Sequence, residues 1–413
     1  MVKDKQHVLI IGKVWMEPGS SAAGSRSLQL AETFLSLGWK ISFATTAGES
    51  LYKADLTSLG ITEFRIELND ASFDVFVKEL DPDIVIFDRF TTEEQFGWRV
   101  ARQCPNAQRI LDTIDLHCLR TARQTALKEN RDFTKADLFN ETAKREVAAI
   151  YRCDLSLMIS TVEMDLLINY FKVDSSLLHY VPFMPAPITE QEVKLLPGFA
   201  ARRNFVTIGN FLHEPNWDSV LFLKRSVWPL VRKQLPGAEL HVYGAYPTQK
   251  VFELNAPKEG FMVKGRAEDA GEVMKKARVC LAPLRFGAGI KGKLLDAMLY
   301  GTPSVTTPVG AESMHGELPW NGFIANDAEA LAQAAVTLYN DQSQWEQASK
   351  NGVNIINNFF AASLHSKKLV EVILTTQDNL NQHRLDNFTG AMLMHHTASA
   401  SKYMALWIEA KNK

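Results

Sequence analysis

Four consecutive apolar side chains, Ile84-Val85-Ile86-Phe87, constrain this chain more than any other feature. A strand with one wet face alternates apolar and polar residues. A run without alternation must be covered on both faces, as in a parallel sheet held between two helical layers. Comparable runs recur at 8–11, 40–44, 62–66, 109–115, 154–160 and 178–183, with helical stretches between them. After the first run, Leu28, Ala31, Phe34 and Leu35 share one helical face, with Ser25 or Ser27 placed to cap its start and Gly38 its end. Such alternation predicts an α/β architecture built on a doubly wound sheet.

Pro182, Pro185, Pro187 and Pro197 then cluster beside Gly198, a density that predicts an irregular linker. A second alternating series follows: runs at 205–208, 239–243, 261–264, 279–283 and 304–307, with helices from Asn216, Asp269 and Ile290. The expected organisation is two Rossmann-like domains, 1–186 and 187–385, facing a central cleft. Ligands would lie there, outside the carboxyl ends of the strands. Helical stretches at 328–339, 345–359 and 363–374 precede a polar segment, 375–384. The last amphipathic stretch, 401–410, carries Tyr403, Met404, Leu406 and Trp407, and 388–413 is expected to return to the first domain.

The 413 residues carry a net charge of −2, which argues against a dedicated nucleic-acid binder. Cys104, Cys118, Cys153 and Cys280 are widely spaced and suggest neither disulfides nor a zinc site. No apolar run reaches the roughly 18–20 residues of a membrane span, and the first strand begins without a signal peptide, so a cytoplasmic chain is expected. The basic residues Arg120, Arg123, Lys128, Arg131 and Lys135 are interspersed with Glu129, Asp132 and Asp137, which reads as a solvated helix face. Peripheral contact with a membrane stays open. Asp81-Pro82-Asp83 mimics a metal-binding pair but precedes the apolar run, and so reads as a helix-to-strand turn.

The chemistry concentrates in 278–311, where a strand feeds Phe286-Gly287-Ala288-Gly289 and a helix opens near Ile290. Glycines allow close backbone approach, and a helix start presents free N–H groups and partial positive charge, so the turn suits a phosphate. Arg285, Lys291 and Lys293 add full charges. Gly289, Lys293 and Asp296 fall on one helical face, where Asp296 can accept from ribose hydroxyls. A literal G-x-G-x-x-G (287–292) also occurs, with Glu312 about twenty residues on. It does not suit a dinucleotide: four residues separate strand and first glycine, and the motif sits late in the second domain.

These residues closely resemble the donor-site signature of GT-B-fold retaining glycosyltransferases of family 4, glycosyl transferases group 1. The matching positions are Gly287, Gly289, Lys291, Lys293 and Asp296, then Ala297-Met298, Gly301, Pro303, Val305 and Thr307. Thr207-Ile208-Gly209, Pro215-Asn216-Trp217, Val242-Tyr243-Gly244 and Val263-Lys264-Gly265 also match in order. The resemblance implies glycosyl transfer from a nucleoside-diphosphate sugar to a glycan, lipid-linked or other hydroxyl acceptor. It further implies retention, no metal and no tightly bound cofactor. Gly209, Asn210, Gly265, Arg285 and the loop Gly287, Ala288, Gly289, Ile290, Lys291, Lys293 and Asp296 would bind the donor, with Lys291 and Asp296 also catalytic. The family's better-known form has two glutamates eight positions apart; here Ala288 and Asp296 occupy those places. Backbone N–H groups of 288–291 would then replace the first acid's contact.

On the acceptor side, the loop Gly19, Ser20, Ser21 to Gly24 follows the first strand. Asp115, His117 and Arg120 follow another, where family members often carry a histidine that contacts the donor sugar; His117 matches it. A sugar-nucleotide epimerase or hydrolase, or a non-catalytic nucleotide-sugar-binding subunit, remain alternatives on the same scaffold.

Overall fold

The computed structural model describes residues 5–395 together with 407 and 411. Seven parallel strands form the first sheet: β1 (His7–Gly12), β2 (Lys40–Thr45), β3 (Thr62–Arg65), β4 (Ile84–Asp88), β5 (Gln108–Asp112), β6 (Leu155–Met158) and β7 (Leu178–Tyr180). Their order is β3-β2-β1-β4-β5-β6-β7. Successive residues of one strand serve opposite layers. Leu9, Ile11, Val85 and Phe87 join one apolar cluster, while Val8, Ile10, Ile84 and Ile86 join the other. That two-sided burial is why the runs do not alternate.

The second sheet has β8 (Arg203–Ile208), β9 (Leu240–Tyr243), β10 (Phe261–Gly265), β11 (Ala277–Ala282), β12 (Ser304–Thr306) and β13 (Gly322–Ile324), in the order β10-β9-β8-β11-β12-β13. The three-residue β13 is too short to leave a readable pattern and was not expected. Strand order reverses between β1 and β4 in one sheet and between β8 and β11 in the other. Crevices for ligands form at such reversals. Both open into the space between the domains.

Local details differ from expectation. Ser21, not Ser25 or Ser27, caps the helix Ala22–Leu35 by accepting from the Gly24 N–H. Gly38, at φ +72°, follows its end. The proline-rich linker holds a short helix, Glu190–Leu195, because its prolines all lie outside that stretch and Thr189 and Glu192 form a capping box. The return to the first domain starts earlier than expected. Leu369 and Ile373 of the helix Ala362–Asp378 sit in the first domain's apolar layer, so 362–385 packs there rather than on the second domain. The polar segment 375–384 is largely helical, through Asp378 and again over Leu380–Asp386. Arg384 there binds Asp154 at 2.8 Å, and Asn387 donates to the Tyr151 carbonyl at 2.7 Å. The stretch 401–410 lies outside the described residues except for Trp407.

Candidate functional site

At the second domain's reversal, Gly209 follows β8 and the glycine loop follows β11. The helix starts at Gly292, two residues later than expected, with Lys291 extended at its cap. Gly287 (φ +154°) and Gly289 (φ +65°) adopt conformations that side chains disfavour. Lys293 Nζ donates to Asn216 Oδ1 at 2.8 Å and would lie 3.0 Å from a Cβ at Gly209. Burial pulls its ammonium down to about 8. Burial likewise pushes the Asp296 carboxyl up to about 7. Among the described residues neither has an ion-pair partner.

Across the cleft, Asp115 lies 3.3 Å from His117 Nε2 through one carboxylate oxygen and pairs with Arg120 through the other. Burial pushes the Asp115 carboxyl upward, but Arg120 and His117 outweigh it and hold the group well below the usual range. His117 opens the helix His117–Lys128. The buried Glu146 carboxylate accepts from the His117 and Cys118 N–H groups at 2.7 Å each. His213, from the second domain, feels Asp115, Arg120 and Lys293; burial above all pulls its imidazole down to about 4.

Glu163 was not anticipated. It is fully buried, its Oε1 accepts from the Gly289 N–H at 2.6 Å, and its Oε2 has no hydrogen-bond partner among the described residues. Burial, then Asp115, pushes its carboxyl upward. Its only sequence signature is Ser160-x-x-Glu163, which marks an ordinary helix start. Ala288, at the family's first acidic position, packs into the first domain's apolar cluster at 8% exposure. A glutamate there would have to enter that cluster, and the Gly289 N–H expected to replace it is already occupied. Lys291 Nζ turns to the Gly289 carbonyl at 2.6 Å, with its ammonium lowered chiefly by burial.

Other expected members fall elsewhere. Arg285 is exposed and paired with Asp218, above the Phe222 ring, not over the glycine loop. Gly265 ends the edge strand β10, separated from β11 by β9 and β8, and accepts from the Gly244 N–H. The loop from Gly19 to Gly24 does meet the second domain: the Ser20 carbonyl accepts from Asn210 at 3.4 Å, and a Cβ at Gly19 would lie 3.4 Å from Arg266. Arg123 is not part of a solvated face. It grips Glu312 through two bonds, at 2.9 and 2.7 Å, and the Gly287 carbonyl at 2.9 Å, so Glu312 is engaged between domains. Ser313 Oγ meets Ser160 Oγ at 2.9 Å nearby. A surface groove of about 340 Å³, lined by Phe139, Val147, Tyr151 and Leu393, lies away from this chemistry and is mostly apolar. Among the described residues no three His, Cys, Asp or Glu side chains converge as metal ligands, and no helix is long and apolar enough to cross a membrane.

Residues 202–341 match the family model of glycosyl transferases group 1. No curated protein matches the chain in sequence. Solved structures share the fold at low identity. Sucrose-phosphate synthase from Thermosynechococcus elongatus is 17% identical, with a TM-score of 0.64 over 90% of this chain and 99% of its own. Anabaena HepE, solved with UDP and glucose, is 12% identical, with a TM-score of 0.66 over 90% and 100%. An S. aureus TarM mutant, solved with Fondaparinux, alpha-GlcNAc-glycerol and UDP, is 10% identical, with a TM-score of 0.67 over 90% and 99%. Two parallel-sheet domains of GT-B fold, the second a group 1 glycosyl transferase domain, make this chain a glycosyltransferase.

Proposed function

We propose that the enzyme moves a sugar from a nucleoside-diphosphate sugar to a hydroxyl of a glycan, lipid-linked or other acceptor, retaining the anomeric configuration and using no metal. The observation that carries this reading is Lys293. Its partly covered ammonium, without an ion-pair partner among the described residues, sits at the reversal between β8 and β11, beside Gly209 and Asn216. A diphosphate there would gain a fixed positive charge as its bond to the sugar breaks, without solvent reorganisation. Asp296, one helical turn on, would accept from the ribose. Arg285 could help only by leaving Asp218.

Asp115, held ionised, would steady His117 at the sugar, and the buried Glu163 would brace the loop through Gly289. Bond cleavage with oxocarbenium character gains from a nearby carboxylate. UDP accompanies the Anabaena HepE and S. aureus TarM structures, so UDP is the first nucleotide to test. The experiment is calorimetric titration with nucleoside diphosphates, then transfer assays with their sugars and NMR assignment of the product's anomer, with and without chelator. Glycosyl product of retained configuration, insensitive to chelator, is expected. Binding of no nucleoside diphosphate would refute the reading; isomerised or merely hydrolysed donor would favour an epimerase or hydrolase, and binding without turnover a non-catalytic subunit.

A further inference from the structure

The first domain's own strand-order reversal carries charge that the donor reading does not use. Lys13 directly follows β1, Arg89 directly follows β4, and Arg120 lies in the first turn of the helix after β5; these strands are neighbours in the sheet. Arg120 is engaged by Asp115. Asp88 lies between the other two, and the buried Asp112, itself held by Arg26, also acts on Arg89. The Asp88 Oδ2 accepts from the Lys13 backbone N–H at 3.1 Å, and its Oδ1 lies 3.3 Å from Arg89 Nε. The Lys13 ammonium has no hydrogen-bond or ion-pair partner among the described residues, and the remaining guanidinium nitrogens of Arg89 have none either. Burial, then repulsion from Arg89, lowers the Lys13 ammonium, with Asp88 opposing. Cations this close repel until an anion joins them.

The backbone adds an independent sign. Arg89 holds φ +73° and ψ 159°, a region open to glycine and strained for side chains. Its N–H donates to the Asp112 carbonyl at 2.9 Å, and its carbonyl receives the first N–H groups of the helix Phe90–Gln103. Glycine would make the same bonds without strain, so arginine here has a cost that only its side chain can offset. The donor loop is close by: a Cβ at Gly289 would lie 2.8 Å from the Asp115 Cβ.

We propose that the acceptor is a phosphate-bearing molecule whose phosphate is held by Lys13 and Arg89, leaving one of its hydroxyls toward the glycine loop. This assignment rests on the glycosyltransferase reading and deepens it. The chemistry is shared by soluble sugar or polyol phosphates and by phospholipid headgroups.

The test titrates inorganic phosphate into the full-length enzyme, with and without saturating UDP, alongside the double variant Lys13→Gln/Arg89→Gly and the variant Lys293→Met. Arg89→Gly suits the observed φ, so the double variant retains its fold. Phosphate binding in the presence of UDP, weakened at least about tenfold in the double variant with UDP affinity unchanged, is expected. Lys293→Met should do the reverse. Transfer assays offering glucose 6-phosphate in solution or phosphatidylinositol in vesicles then separate the two sources. Equal phosphate affinity in wild type and double variant, or no binding up to about 20 mM, overturns the proposal while UDP binding stands. Phosphate binding without UDP binding would instead remove the donor reading alone.

Discussion

Replacing Lys293 by methionine should strengthen the unliganded protein while weakening its hold on a diphosphate. The native ammonium is displaced from 10.5 to about 8 by burial. At about 1.4 kcal/mol per unit, that is about 3 kcal/mol of cost in keeping the charged form inside the fold at pH 7. Partial exposure to the cleft reduces this by roughly half. Loss of the bond to Asn216 removes about 1 kcal/mol more, leaving a gain of the order of 1 kcal/mol. The sign follows from linkage: a depressed lysine destabilises the native state below pH 8, and the penalty fades as pH rises toward 10.5. Urea unfolding of Lys293→Met should therefore show a raised midpoint at pH 7 and none at pH 10.5. Calorimetry should show UDP affinity lowered about tenfold to a hundredfold, the worth of one charge-assisted contact. In the wild type, UDP affinity should fall about tenfold per pH unit above 8, and Lys293→Arg, always charged, should flatten that limb. A destabilised Lys293→Met, or one that binds UDP like the wild type, would refute the reasoning.

Glu163→Gln keeps an oxygen for the Gly289 N–H and removes a carboxyl that burial pushes upward. Because a raised acid favours the native state at low pH and loses that favour as pH rises, wild-type stability should decline from pH 5 to 8.5 more steeply than the variant's; parallel urea midpoints would count against this. Arg123→Ala removes three bonds between the domains, about 2 kcal/mol or more of closure, and should enlarge the radius of gyration in X-ray scattering and speed proteolysis within 182–197. An unchanged scattering profile would deny Arg123 its bridging role. His117→Ala should lower kcat by about a hundredfold or more with the unfolding midpoint little moved; near-normal turnover would exclude a role at the sugar.

The alternation of buried strands and helices was legible because parallel strands bury both faces and so write unbroken apolar runs, as in Ile84–Phe87. The glycine loop, with Lys293 and Asp296 at helical spacing, was legible because its members are neighbours in the chain. Contacts between distant segments leave no such trace. Glu163 reaches Gly289 across 126 positions and Arg123 reaches Glu312 across 189, and each looks locally like a helix start or a solvated basic face. Arg285 showed the opposite error, for its sequence position beside the loop did not reveal that Asp218 would claim it. The sequence by itself thus determined the two parallel-sheet domains and the grouping of Lys293 and Asp296 on the helix behind the glycine loop, both set by short-range periodicity and spacing. Only the tertiary structure decided which acids and bases face that loop, because docking two domains across the carboxyl ends of their strands pairs residues whose separation along the chain carries no pattern.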